Sequence, residues 1–203
     1  TDELIEVFAT EPKIVKYVDL PLQHAHNAVL RSMNRPDTRE GVEKLIQKLR
    51  ERIPGVTIRS TFIVGFPGET DTHYQTLRSF VEAQRFDKVG IFTYSEEEDT
   101  PAAMMAQKVP EEVMQERYHD LMSLQSKISE EINIGLENQE LDVLIEGRDA
   151  EQQSIAVGRS YREAPEVDGQ IYIEGDVGSC IGDIVRVRLL QGFTYDIVGE
   201  KVG

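Results

Sequence analysis

The sequence predicts an α/β unit of parallel strand and helix repeats followed by a small all-β barrel of five short strands. Three observations lead there. Three β-branched, apolar segments in the first half alternate with helix-period patterns. One long amphipathic helix then follows Pro110, and after about residue 140 short strands are separated by glycine and acidic turns. A domain boundary near residue 139 divides the chain into 1–139 and 140–203.

The elements follow in order. Ile14 to Leu20 has the composition of a first strand, and Ala28, Val29, Arg31, Ser32 and Met33 suit a short helix that Pro36 ends. The next helix begins at Asp37 or Thr38, where Asp37 and Glu40 have the spacing of a capping box. Its apolar residues Val42, Leu45, Ile46, Leu49 and Ile53 fall on one face before Pro54-Gly55 stops it. Thr57 to Phe66 is the second strand, a helix with Tyr74, Leu77 and Val81 on one side comes next, and Lys88 to Tyr94 is the third strand. Pro110, Glu111 and Glu112 open the long helix, with Val113, Tyr118, Leu121, Met122, Ile128 and Ile132 as its expected apolar stripe and Gly135 at its end. Leu141 to Glu146, Ile155 to Gly158, Ile171 to Glu174, Ile184 to Leu190 and Tyr195 to Val198 are the barrel strands.

Composition narrows the function. With 39% hydrophobic and 29% charged residues the chain can bury a core, and no apolar stretch approaches a membrane span. No basic and apolar leader opens it, so a cytoplasmic location is expected. The single cysteine, Cys180, excludes an intramolecular disulfide and any metal centre needing two thiolates from this polypeptide. Twenty-two basic against 37 acidic side chains give a net charge of −15, which disfavours delocalised binding to nucleic acid and suits a basic partner.

Polar residues gather where the strands should end, the position that binds ligands in β/α folds. Asp19, Gln23, His24 and Arg35 offer hydrogen bonds to a ribose or carboxylate, although each taken singly also reads as a solvated loop residue. His24 and His26 alone are weak grounds for a metal site, and none is expected. Arg59 lies within the second strand, on one face with Thr61 and Ile63, placed either to hold a carboxylate or to snorkel at the sheet edge. Gly65-Phe66-Pro67-Gly68-Glu69-Thr70 is a tight strand-to-helix turn; a ligand there would meet close backbone and the free amides of a helix start. Phe92 and Tyr94 could cover a flat ring, and Glu96, Glu97, Glu98 and Asp99 beyond them could meet a basic macromolecule or simply be solvated.

Three segments, YVDLPLQHAHNAVLRSMNR, IRSTFIVGFPGET and VGIFTYSEEEDTPAA, together resemble the radical S-adenosylmethionine methylthiotransferases, and the resemblance runs through the long helix into the terminal barrel, which looks like their TRAM domain. It implies that residues 1–139 are the carboxyl-terminal half of a partial parallel (β/α)6 barrel and 140–203 an OB-like TRAM barrel. Within the family, the third segment looks most like the branch that methylthiolates an aspartate of a small-subunit ribosomal protein; the alternatives are the branch that modifies a transfer RNA adenosine, or a non-catalytic binding module.

The same resemblance assigns site residues. Gln23, His24 and Arg35 become contacts to the ribose or methionine part of S-adenosylmethionine, and Arg59 a contact to its carboxylate. Gly65, Gly68 and Glu69 become backbone support, Phe92 and Tyr94 flank the adenine, and Glu96, Glu97, Glu98 and Asp99 face the basic substrate. The family's chemistry uses two four-iron, four-sulfur clusters: one cleaves S-adenosylmethionine to a radical that takes hydrogen from the aspartate β-carbon, and the methylthio group assembled at the other fills the place. The C-x-x-x-C-x-x-C loop is absent here, so the expectation is a portion of a longer enzyme, with both clusters ligated outside this chain, no catalytic residue within it and no activity alone. Residues 141–203 hold six basic and twelve acidic residues, which favours a ribosomal protein over transfer RNA, while Arg186 and Arg188 on one strand face keep the RNA alternative open.

Overall fold

The computed structural model describes residues 1–175 and 178–202. It forms two compact units, Thr1–Gln125 and Ser126–Gly203. The long helix α5 (Glu111–Ile134) contributes residues to both.

In the first unit β1 (Tyr17–Gln23), β2 (Thr57–Val64) and β3 (Lys88–Thr93) make a parallel sheet in the order β1-β2-β3. Helices α2 (Asn27–Ser32) and α3 (Arg39–Arg52) link the first pair of strands, and α4 (Asp71–Gln84) links the second. This is the alternation read from the sequence. The strand limits differ, because a strand needs a partner as well as propensity. Pairing opens at Tyr17 opposite Thr57, so Ile14 and Val15 stay outside β1, with Val15 58% exposed. Pro21 falls at an irregularity between Leu20 and Gln23, where its missing N–H breaks no ladder bond.

One helix went unread in the sequence. In α1 (Asp2–Thr10) the Thr1 hydroxyl accepts from the Leu4 amide at 3.3 Å, and Asp2 and Glu3 favour the positive helix end. It buries only Ile5, so no apolar period announces it; ion pairs from Lys48 to Asp2 at 2.7 Å and Arg52 to Glu6 at 3.0 Å fasten it to α3. The start of α3 also differs from expectation. Thr38, not Asp37, is the cap and accepts from the Gly41 amide at 3.2 Å, while Asp37 faces Arg35 and Glu40 accepts from Asn27 at 3.1 Å.

Alternation along β2 decides which sheet face is covered. Ile58, Ser60, Phe62 and Val64 are buried, and Arg59, Thr61 and Ile63 are half-buried. Phe62 meets Phe80 and Phe86 edge-on, with ring centroids 6.3 and 5.7 Å apart, next to the fully buried Ile46, Leu77 and Val81. The buried side of α5 matches the expected apolar stripe only in part. Leu121 and Ile128 are buried as expected, but Val113, Tyr118, Met122 and Ile132 are only half-buried, and Met114, Arg117, Gln125, Ser129 and Asn133 are buried beside them because the polar members have bonding partners. Gln125, for one, donates to the Phe86 carbonyl at 3.0 Å.

The second unit is a closed barrel in the order β4-β5-β6-β8-β7, built from β4 (Glu140–Arg148), β5 (Ala156–Arg159), β6 (Ile171–Glu174), β7 (Ile184–Gly192) and β8 (Ile197–Lys201). All pairs are antiparallel except β6 with β8. Alternate residues point inward, so Val143, Ile145, Ile171, Ile173, Val185, Val187, Leu189 and Ile197 fill the centre. Among the described residues, no helix is long and apolar enough to cross a membrane.

Phe62 has no exposed surface. Phe62→Ala is expected to destabilise the first unit by roughly 3–5 kcal/mol, measured as a lower denaturant midpoint with an unchanged slope.

Candidate functional site

In parallel β/α units, ligands are met by the loops after the strands. Here these loops carry Gln23 and His24 after β1, Gly65 to Glu69 after β2, and Tyr94 to Asp99 after β3. Among the sequence-predicted residues His24 and Glu69 come together, and neither side chain has any exposed surface. His24 Nδ1 accepts from the His26 amide at 2.9 Å, so the ring proton sits on Nε2, which donates to Glu69 Oε2 at 3.1 Å. Glu69 Oε1 accepts from the Gly65 amide at 3.1 Å and from Arg117 Nη1 at 2.6 Å. Arg117 Nη2 donates to Asp71 Oδ1 at 2.6 Å, and its guanidinium lies 5.5 Å from the centre of the Tyr74 ring. The Tyr74 hydroxyl, 2.6 Å from Asp120 Oδ2, has its pKa pushed up by burial and by that carboxylate.

The loop between β2 and α4 spends its amides internally. Gly65 donates to Glu69, Gly68 to the Gln107 carbonyl at 2.7 Å, and Glu69 to the Phe66 carbonyl at 2.8 Å. Thr70 and His73 close the start of α4 as a reciprocal capping box. The Gly65, Gly68 and Glu69 amides are thus committed to the protein's own acceptors. What the glycines provide is space: both have positive φ, +79° at Gly65 and +84° at Gly68, and a Cβ on Gly65 would overlap Met114.

A second group occupies the half-buried face of the sheet. Arg59 Nη1 donates to Asp19 Oδ2 at 2.7 Å, directly across the β1–β2 register. Phe92, 56% exposed, lies on the same face opposite Ile63. Its ring turns back over Gly90, where a Cβ would stand 3.3 Å from the Phe92 ring and 3.5 Å from the Arg59 guanidinium. Tyr94 serves other neighbours: its ring meets Phe66 edge-on at 5.4 Å, and Lys108 Nζ is 5.9 Å from its centre. The Tyr94 hydroxyl is buried and has no hydrogen-bond partner among the described residues. A cavity of about 440 Å³ is lined by Gly65, Thr93, Tyr94, Glu96, Lys108 and Met114.

The remaining residues stand apart. Gln23, at the end of β1, has a positive φ of 68° and is half-buried. Arg35 donates to the Pro21 carbonyl at 2.9 Å and pairs with Asp37 at 3.4 Å. Glu96 is held by Lys108, which also donates to the Ala102 and Ala103 carbonyls, whereas Glu97, Glu98 and Asp99 are exposed. Sequence reasoning missed Arg117, Asp71 and Lys108. A signal for Arg117 existed: at helical spacing from Met114 and Leu121, it places a charge within the buried stripe. Among the described residues no group of three or more His, Cys, Asp and Glu side chains is arranged to hold a metal ion.

His26 and His73 border this network with their rings 4.1 Å apart. His26 Nδ1 caps α2 by accepting from the Ala28 amide at 3.2 Å, and His73 Nδ1 accepts from the Thr70 amide at 3.3 Å. Burial, then the neighbouring His73, lowers the His26 pKa from its ordinary 6.5. The folded state thus binds fewer protons than the unfolded chain, so this contribution is present above about pH 6.5 and lost as pH falls through the lowered value. Thermal midpoints are expected to drop from pH 7 to pH 5, and His26→Asn, which keeps a capping acceptor, should drop less over that interval.

Comparison with known proteins places these features in a family. Residues 1–81 match the Radical SAM superfamily and residues 139–202 the TRAM domain. The chain is 46% identical over 200 residues to the ribosomal protein uS12 methylthiotransferase RimO of Desulforamulus reducens, covering 98% of this chain and 45% of that protein. It is 50% identical over 202 residues to the RimO of Heliobacterium modesticaldum, covering 100% of this chain and 43% of that protein, and 45% identical over 202 residues to that of Geobacter sulfurreducens, covering 100% and 45%. The chain thus spans less than half the length of these curated relatives. It belongs to the family of radical S-adenosylmethionine methylthiotransferases, in the part that carries the TRAM domain.

Proposed function

We propose that this chain is part of an enzyme that adds a methylthio group to the β-carbon of an aspartate in ribosomal protein uS12, and that it supplies one wall of the S-adenosylmethionine site and the surface that receives the protein substrate. The observation that carries the reading is the half-covered sheet face, on which Asp19 and Arg59 lie near the starts of β1 and β2 and Phe92 near the end of β3, in a chain whose residues 1–81 match the Radical SAM superfamily. The donor set fits S-adenosylmethionine: a guanidinium for its carboxylate and an exposed aromatic ring for its adenine. When bound, S-adenosylmethionine supplies radical chemistry; the chain's own work is to bind, orient and exclude water.

Individual roles follow from placement. Arg59, held on the face by Asp19, takes the carboxylate. Gln23 and Arg35 stand at the rim as polar contacts to the ribose or methionine portion, and Phe92 and Tyr94 serve the adenine side. Gly65 and Gly68 let the loop turn at positive φ and admit Met114 against Gly65, while His24 and Glu69, committed to each other, hold the loop's shape. The donor set does not fit an iron–sulfur cluster, since Cys180 is a lone, exposed thiol. Both four-iron, four-sulfur clusters belong to residues outside this chain in this reading, and the stretches 1–139 and 140–203 act as barrel portion and TRAM domain of one cytoplasmic enzyme.

Charge favours a basic protein over transfer RNA. Arg186 lies 3.1 Å from Asp142 and 3.6 Å from Glu140, and Arg188 lies 3.1 Å from Glu140 and 3.4 Å from Glu200. The strand face carrying Arg186 and Arg188 is therefore neutralised, whereas RNA grooves need cations available to phosphates. Exposed Glu97, Glu98 and Asp99 add an acidic loop that can steer a basic partner.

The full-length enzyme, reconstituted with its clusters, is expected to add one methylthio group to uS12 and none to transfer RNA, read by mass spectrometry of both substrates together; label in the RNA alone sinks the assignment. Arg59→Met should weaken S-adenosylmethionine binding by about tenfold. Replacing Glu97, Glu98 and Asp99 by their amides should raise the KM for uS12 and flatten its salt dependence while leaving that for S-adenosylmethionine unchanged.

A further inference from the structure

Helix α5 touches the loop between β2 and α4 at two points one turn apart. Met114 occupies the space that a side chain at Gly65 would need, and Arg117 reaches both carboxylates that flank Thr70, the cap of α4. Arg117 is 5% exposed and Glu69 4% exposed, so their bond is made away from water. Arg117 Nη1 donates to Glu69 Oε1 at 2.6 Å and lies 3.3 Å from the Glu69 carbonyl, while Nη2 donates to Asp71. Only a planar fork meets acceptors on two residues at once with a fixed angle between them; an ammonium on a flexible stem does not.

We propose that Arg117 is a positioning residue for the cofactor-facing loop, an inference that rests on the cofactor reading above. Each oxygen of the Glu69 carboxylate is engaged: Oε2 takes the His24 Nε2 proton, and Oε1 takes the Gly65 amide and Arg117. Gly65 is thereby turned with its N–H inward at a φ of +79°, a conformation open to glycine. His24, bonded through its other nitrogen to the His26 amide, fixes the end of β1 against the same carboxylate. Arg117 thus sets, through Glu69, the backbone surface that two adjacent strands offer to S-adenosylmethionine. Its own contacts are to Glu69, Asp71 and the Tyr74 ring, so its action on the site runs through Glu69.

The test uses the full-length holoenzyme, anaerobically reconstituted, with S-adenosylhomocysteine as the probe. Its dissociation constant is measured by equilibrium dialysis beside the thermal midpoint, for wild type and Arg117→Lys, which keeps the charge and loses the fork. Positioning predicts a folded variant that binds the probe about tenfold more weakly, with a raised KM for S-adenosylmethionine and an unchanged KM for uS12. A variant that melts lower yet binds the probe as wild type does overturns the inference, because a merely structural arginine would behave that way. Should Arg117→Lys not fold, Glu69→Gln combined with Arg117→Met leaves no buried charge unpaired, and the same two outcomes decide. If the wild-type holoenzyme itself fails to bind the probe, the cofactor reading fails and takes this inference with it.

Discussion

A carboxylate without exposed surface has to be met by donors, and the Glu69 carboxylate imposes that demand on the whole first unit. Withdrawing one ion from water costs several kcal/mol even after relaxation, so leaving it half-satisfied would be ruinous in a domain only about 5–15 kcal/mol stable. The donors come from His24 after β1, Gly65 after β2 and Arg117 on α5. Each can reach only if its element is in place. One buried group thereby ties together loops that sequence separates by 45 and 48 positions, and it does so at the strand ends where ligands are met.

Above that network the sheet divides its labour by face. The side with Ile58, Phe62 and Val64 supplies the apolar packing, and the side with Asp19, Arg59 and Phe92 remains half-covered. Parallel sheets are ordinarily covered on both faces. A partly exposed ion pair such as Asp19–Arg59 contributes about 0–1 kcal/mol, too little to explain a charge inside a strand on grounds of stability.

The barrel follows a different logic. Closure removes unpaired strand edges, and period two sends Val143, Ile145, Ile171, Ile173, Val185 and Val187 to the centre. Its outer face holds arginines between carboxylates, so the fold that elsewhere grips nucleic acid presents here a surface with little net attraction for phosphate.

Much of this was legible without coordinates. Strand and helix periods gave the α/β order and the five barrel strands, because burial of one face writes itself into spacing. Composition excluded a cluster held by one cysteine, and Arg59 stood out as a charge in an apolar strand. The helix α1 was not legible, since it is held by ion pairs and buries one residue. Nor were the polar members of the buried side of α5, the register of β1, or the commitment of His24 and Glu69 to each other. A sequence determines which residues need burial or a partner; which partner they find depends on contacts between distant segments, and those exist only once the chain has folded.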